Sequence, residues 1–177
     1  MKRILGFAGS NSSKSINAQL VANLLNRLSA DFKTEQIDIR DYELPFYGED
    51  LENEKGIPNK AQDFAAEIEK NDAVIIAINE HNGSRSAVFK NLIDWVSRHN
   101  RGFLTDKKIL LVAASPGGSG AATAMAYAKT AFGIFGGDVV ETLSFPNFYD
   151  NFKEGEITNS EIASEIDSKL NTFAQQI

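Results

Sequence analysis

Three stretches of this chain combine residue types that can do chemistry, and all three are rich in small polar residues. The first, Gly9-Ser10-Asn11-Ser12-Ser13-Lys14-Ser15-Ile16-Asn17, carries four serines and two asparagines and opens onto a helical pattern. Its glycine lets the backbone turn, and its hydroxyls and amides supply hydrogen bonds. The helix N-terminus beyond it adds unpaired N–H groups with positive potential. A phosphate monoester suits such a loop without any metal; a plain polar loop in which Ser15 caps the helix accounts for the same residues. The stretch is neither G-x-x-x-x-G-K-[ST] nor G-x-G-x-x-G, so it implies no Walker-type ATP site and no dinucleotide fingerprint. A serine hydrolase is disfavoured, because there is no G-x-S-x-G elbow and neither histidine has an Asp partner in sequence.

The second stretch is Asn79-Glu80-His81-Asn82-Gly83-Ser84-Arg85-Ser86. A loop of this kind can present backbone N–H and C=O groups to the edge of a flat heterocycle. His81 could stack on a ring or act as an acid, since imidazole titrates near neutrality; a surface or packing histidine is the plainer account. The third stretch, Ser115-Pro116-Gly117-Gly118-Ser119-Gly120, again leads into a helical pattern. Its glycines suit either close backbone approach to a ligand or a tight turn needing positive φ.

The elements between these loops decide whether they can meet. Arg3 to Ala8 reads as a buried strand and Asn17 to Ala30 as a helix with Leu20, Val21, Leu24, Leu25 and Leu28 on its apolar stripe. Lys33 to Ile39 alternates like an edge strand, and Asn59 to Lys70 repeats Ala61, Phe64, Ala65 and Ile68 at helical spacing. Ala73 to Ile78 is apolar on both faces, as a central parallel strand requires. A helix over Ala87 to Ser97, a strand over Lys108 to Ala114, a helix over about Ala121 to Phe135 and a strand over Asp138 to Phe145 follow. A last helix, capped by Asn159, turns Ile162, Ile166, Leu170 and Phe173 inward. Strand and helix alternating in this way predict an α/β fold: a five-stranded parallel sheet with helices on both faces, the middle layer of a three-layer sandwich. No repeat, linker or composition break divides residues 1–177, so one domain is expected. In such sheets ligands bind beyond the carboxyl ends of the strands, which is where all three loops fall.

Composition removes most other chemistries. The chain has 177 residues, 42% of them hydrophobic and 24% charged, which suits one domain with a sizeable core and excludes disordered or low-complexity classes. No cysteine is present, so thiol nucleophiles, disulfides and thiolate metal sites are out. A net charge of −6 argues against nucleic acid or an anionic membrane as partner. Met1-Lys2-Arg3 has the charge of a signal peptide, but the apolar run after it is too short, and a cytoplasmic location is expected. Asp150, Gly155, Ile157 and Glu161 fall at EF-hand spacing, yet Phe152 stands at a ligand position and no helix precedes, so calcium is not expected. Phe148, Tyr149 and Phe152 pack near the site or at an interface.

The chain resembles the NADPH-dependent FMN reductase family, the flavodoxin-like quinone, azo and chromate reductases. The family's first loop commonly reads G-S-x-R-x-x-S-x-N; Gly9, Ser10, Ser15 and Asn17 match, with Ser12 where Arg is usual. Its P-E-Y-N-G-S-[IV]-P-G-x-L-K-N-x-I-D-W stretch is similar to Asn79 to Trp95. There Glu80, Asn82, Gly83, Ser84, Lys90, Asn91, Ile93, Asp94 and Trp95 match, Asn79 replaces Pro, His81 replaces Tyr, and Arg85-Ser86-Ala87 replaces the apolar-Pro-Gly step. Leu44 to Tyr47 with Glu49 to Glu52 resembles the loop after the second strand, and Ser115 to Gly120 resembles S-[GP]-G-G-x-G.

The resemblance implies a flavodoxin-like fold, with the five strands in the order 2-1-3-4-5, and a non-covalent FMN. Ser10, Ser15 and Asn17, with Ser12 and Ile16 beside them, would take its phosphate. Asn79, Glu80, His81, Asn82 and Gly83, with Ser115, Pro116, Gly117 and Gly118, would line its isoalloxazine. Hydride would pass from NADPH or NADH to flavin N5 and then to a small-molecule electron acceptor such as a quinone or flavin. The cofactor carries that chemistry, so no catalytic side chain and no metal are expected. A homodimer or homotetramer is implied, and Trp95 and Phe89 are either core or part of that contact. The alternative is a flavodoxin-type electron carrier or regulatory module without nicotinamide turnover. Only mild acidity and the lack of an aromatic at position 81 favour the enzyme.

Overall fold

The computed structural model describes residues 1–177. Its elements run β1 (Arg3–Ala8), α1 (Ile16–Leu28), β2 (Lys33–Gln36), a 3-10 turn (Ile39–Tyr42), α2 (Glu49–Lys55), α3 (Asn59–Glu69), β3 (Ala73–Ala77), β4 (Glu80–His81), β5 (Ser84–Arg85) and α4 (Ala87–His99). There follow β6 (Lys108–Ala114), α5 (Ala122–Ile134), β7 (Asp138–Phe145), α6 (Phe148–Asn151), β8 (Phe152–Lys153), β9 (Glu156–Ile157) and α7 (Ser160–Ala174). The main sheet is parallel throughout, in the order β2-β1-β3-β6-β7, which is the expected 2-1-3-4-5 once the short hairpin strands are left out of the count.

Strand alternation builds the two cores. Leu5, Phe7, Val74, Ile76, Ile109 and Leu111 face one side and pack with α3, α4 and α5 through Phe64, Phe89, Trp95 and Phe132. Ile4, Ala8, Ile75, Ala77, Leu110 and Val112 face the other and pack with α1 and α7 through Leu20, Leu24, Ile166 and Phe173. A sheet buried on both faces needs apolar residues at successive strand positions, which is why these segments read as unbroken hydrophobic runs. Trp95 is fully buried within the chain, and its indole Nε1 donates to Pro45 O at 2.8 Å, so it belongs to the core.

Several local readings need correction. The second strand stops at Gln36, because the Asp38 carboxylate accepts from Arg40 N at 2.9 Å and starts a 3-10 turn that buries Ile39. Helix α2 is absent from the sequence reading. It buries no residue and so has no apolar period to detect, although Glu49, Asp50 and Glu52 in its first turn suit a helix N-terminus. Two antiparallel hairpins were also unexpected: β4–β5, turning at Asn82-Gly83, and β8–β9, turning at Glu154-Gly155, with positive φ at all four turn residues.

Candidate flavin site

The loops after β1, β3 and β6 meet in a cleft of about 410 Å³ at the carboxyl edge of the sheet. That volume lies within the range of roughly 300–1,000 Å³ usual for small-molecule sites. Each wall owes its shape to a particular set of contacts.

Gly9 sits against α4: a Cβ there would lie 2.7 Å from the Phe89 ring, so no larger residue fits without displacing it. Ser86, the N-cap of α4, donates its hydroxyl to Gly9 O at 2.6 Å and accepts from Phe89 N. The serines then fold the loop. Ser10 Oγ accepts from Ser12 N, Ser12 Oγ from Lys14 N, and Ser15 Oγ from Ala18 N, each at 3.2 Å. Ser15 is thus the N-cap of α1, and the amides of Ile16 and Asn17 are left with no acceptor in the chain. They are unpaired donors at a helix N-terminus, with the Lys14 ammonium on the same wall.

Asn17 is buried, and both ends of its side-chain amide are used. Oδ1 accepts from Ala114 N at 2.8 Å, and Nδ2 donates to Ala114 O at 3.3 Å. Its side chain is thus committed to β6, and its backbone amide is the group left without a partner. Ser115 is similar: its hydroxyl donates to Gly117 O at 2.6 Å and accepts from Gly120 N at 2.9 Å, closing the loop after β6 on itself.

On the β3 side, Asn79 is 93% buried on the cleft wall, with Nδ2 3.3 Å from His81 Nε2 and Oδ1 without any donor. A buried acceptor left unpaired costs stability unless something else supplies the hydrogen. The Glu80 carboxylate is committed to the fold: its Oε2 accepts from Ala124 N at 2.9 Å and caps α5, which has no side-chain cap of its own.

Ser10, Ser12, Ser15, Ile16 and Asn17 line this cleft together with Asn79, Glu80, His81, Ser115, Pro116 and Gly117. Gly118 lies off its wall, and Asn82 and Gly83 form the hairpin turn that borders a separate groove. Of the two accounts of the Gly117-Gly118 pair, the tight turn with positive φ is not found there: positive φ occurs at Gly120, while the space above Gly117 and Gly118 is open. Exposed Tyr149 also lines the cleft, so of the two places open to it, site or interface, it has the first.

The K-N-x-I-D-W element is structural. Asn91 Oδ1 accepts from Tyr47 N, and its Nδ2 donates to Leu44 O and Pro45 O, so with Trp95 it fastens the loop after β2 to α4. The Tyr47 phenol donates to Glu52 at 2.9 Å, and that hydrogen bond, aided by burial, holds the phenol above its ordinary range. Glu52 likewise raises Arg98, with which it pairs.

Residues 2–150 match the profile of a family described as NADPH-dependent FMN reductase. The chain belongs to that family. Within the reductase family, it is 30% identical over 174 residues to a 2-hydroxy-1,4-benzoquinone reductase of a Burkholderia species, covering 97% of this chain and 91% of the relative. It is 32% identical over 125 residues to the CrdA subunit of an NADH:(hydroxy)cinnamate reductase from Vibrio ruber, covering 71% of this chain and 59% of that subunit. The match to an NAD(P)H-dependent FMN reductase of Pseudomonas aeruginosa, also 32% identical, covers 69% of this chain and 64% of the relative. The chain therefore spans about three fifths of the length of some of its curated relatives. Among solved structures, FerB of Paracoccus denitrificans, a flavoenzyme NAD(P)H:(acceptor) oxidoreductase, superposes with a TM-score of 0.76 at 27% identity, covering 99% of this chain and 97% of that one.

Proposed function

We propose that this protein is an FMN-dependent NAD(P)H oxidoreductase that passes electrons to a small-molecule acceptor of the quinone or flavin type. The carrying observation is one of complementarity. The cleft offers two unpaired amides at the start of α1 and, on its β3 side, a buried Asn79 oxygen that lacks a donor. FMN has the converse groups, a phosphate that only accepts and a ring N–H that donates, so the residues present fit it. The family membership and the names of the quinone-reducing relatives support the same reading.

In this reading Ile16 N, Asn17 N, the loop hydroxyls of Ser10, Ser12 and Ser15, and Lys14 hold the phosphate. The helix N-terminus supplies local positive potential in a chain whose net charge is −6. Asn79 Oδ1 takes the ring N–H, and His81, held by Asn79 Nδ2, lines the ring's edge with Ser115 to Gly117. When bound, FMN supplies the electron transfer between nicotinamide and acceptor, so these residues bind, orient and exclude water and need not act as nucleophile or base. We take residues 1–177 as one flavin-binding domain and the protein as a cytoplasmic homodimer or homotetramer. That no helix is long and apolar enough to cross a membrane agrees with this location, and exposed Phe46 offers apolar surface for a second copy.

The test is spectroscopic. Purified protein should be yellow or become so with FMN, and NADPH or NADH should bleach it anaerobically within minutes. Colour without bleaching by either nicotinamide favours an electron carrier. Failure to bind FMN at micromolar concentration overturns the flavoprotein reading.

A further inference from the structure

We propose that the groove between the β4–β5 hairpin and α5 is an anion subsite for the second substrate, with Arg85 as the residue that sets its specificity; this rests on the oxidoreductase reading above. The groove encloses about 750 Å³ and shares His81 with the flavin cleft, so the two are neighbours across one side chain. Its walls include Arg85, Lys90, Thr123 and Tyr127, and no carboxylate lines it, although acidic residues outnumber basic ones in the chain by 24 to 18.

Arg85 is the unusual member. In the hairpin register it stands directly opposite Glu80, the natural ion-pair partner for a cross-strand arginine. Glu80 instead bonds the backbone amide of Ala124, and Arg85 makes no ion pair. The guanidinium lies 4.9 Å over the Tyr127 ring, and its Nη1 is shielded from water without an acceptor. Stacking on an aromatic face leaves the edges of the fork for hydrogen bonds, which is the geometry in which arginine recognises phosphate or carboxylate. Lys90 is already bonded to both oxygens of Asp94, so Arg85 carries the uncompensated charge. Arg85 also stands where the resembling family pattern has an apolar residue, so the sequence departs from that pattern at the position where the groove gains its cation.

The ligand chemistry is an oxyanion, phosphate or carboxylate, on a molecule whose reacting end reaches past His81. Two sources share it: the 2′-phosphate of NADPH and an acidic group on the acceptor. The experiment uses FMN-loaded wild type, Arg85→Leu and Arg85→Lys. It measures calorimetric binding of adenosine 2′,5′-bisphosphate, the KM ratio of NADPH to NADH, and the KM ratio of a carboxylated to a neutral quinone. Losing the charge-assisted contact should weaken the affected ligand about 10- to 100-fold. If NADPH is the source, the bisphosphate affinity falls and the first ratio rises in Arg85→Leu; if the acceptor is the source, the second ratio rises alone. Arg85→Lys, with the charge but not the fork, should fall between. Both ratios and the bisphosphate affinity staying within about twofold of wild type overturn the subsite, as does an equal rise in every KM. Wild type that binds no FMN overturns the oxidoreductase reading instead. In that case the purified chain is titrated with both adenosine 2′,5′-bisphosphate and a carboxylated quinone, and equal affinities of wild type and Arg85→Leu for both ligands overturn the subsite.

Discussion

Asn17 and Ala114 are joined by a reciprocal pair of hydrogen bonds in which a side-chain amide completes the backbone pairing at the end of a strand. The first turn of α1 is thereby fixed to the end of β6, and the loops that approach the cleft from those two elements keep one geometry. Removing the amide leaves a buried N–H and a buried C=O unpaired, at about 1–3 kcal/mol for each. Asn17→Ala should therefore destabilise the FMN-free protein by about 2–6 kcal/mol in urea unfolding. Unchanged stability with lost FMN affinity would instead make Asn17 a ligand contact and nothing more.

The same residue shows how far the sequence could be read. The layering was legible because β1, β3 and β6 are apolar on both faces and are separated by segments of helical period, whereas the strand order came with the family resemblance. The cleft was legible because that topology brings three small-residue loops to one edge of the sheet. The division of labour inside the loops was not. A hydroxyl or amide near a site is equally suited to ligand and to backbone, and only three-dimensional contacts show that Asn17, Ser15 and Ser115 serve the backbone. The β4–β5 hairpin did leave a signal, the Asn-Gly dipeptide at 82–83. Helix α2 left little, because its anchors are the polar contacts of Glu52 to Tyr47 and Arg98.

Gly120 and its neighbours Gly117 and Gly118 should separate folding from binding. A Cβ on Gly120 would fall 1.8 Å from Ser144 Oγ, on a backbone with φ of +57°. The left-handed conformation alone costs an L-residue roughly 1–2 kcal/mol, so Gly120→Ala should lose about 2 kcal/mol or more of stability. At Gly117 and Gly118 nothing lies within 4 Å of an added Cβ. Alanine there should leave stability within about 0.5 kcal/mol, while at Gly117, on the cleft wall, it should weaken FMN binding. Urea midpoints and FMN titrations distinguish the two patterns; equal destabilisation at all three positions would contradict it.

Glu80 is expected to act on stability through α5. Its carboxylate is the acceptor for Ala124 N, in a helix whose own N-cap position, Ala121, offers no side-chain bond. Glu80→Ala should cost about 1 kcal/mol, the usual value of a lost cap. Glu80→Gln keeps an acceptor and loses only the charge facing the helix dipole, a smaller effect of roughly 0.3–1 kcal/mol. Hydrogen exchange at the Ala124 amide should accelerate in the alanine variant and stay near wild type in the glutamine one. Equal acceleration in both would remove the hydrogen bond from the explanation.

Asp72 should give the protein part of its acid sensitivity. Arg3 N donates to its Oδ2 at 2.8 Å, Lys2 Nζ lies 3.2 Å from Oδ1, and Asp72 N returns a bond to Arg3 O, tying the start of β1 to the entry of β3. The backbone donor, with help from Lys2, holds the carboxyl below its ordinary 3.8 despite some burial. A carboxyl whose folded pKa lies below its unfolded one stabilises the fold fully above the unfolded value, and that contribution disappears as pH falls through the folded value. Asp72→Asn keeps an oxygen for Arg3 N but removes the charge, so it should be less stable than wild type at about pH 7 and converge with it as the pH falls through the lowered pKa of the folded carboxyl. The gap should be small, because the side chain is 37% exposed. Asp72→Ala removes the acceptor as well and should stay destabilised at every pH. Urea midpoints for the three proteins across that range decide it, and a wild-type-to-asparagine gap that does not narrow in acid would remove the carboxylate's charge as the cause.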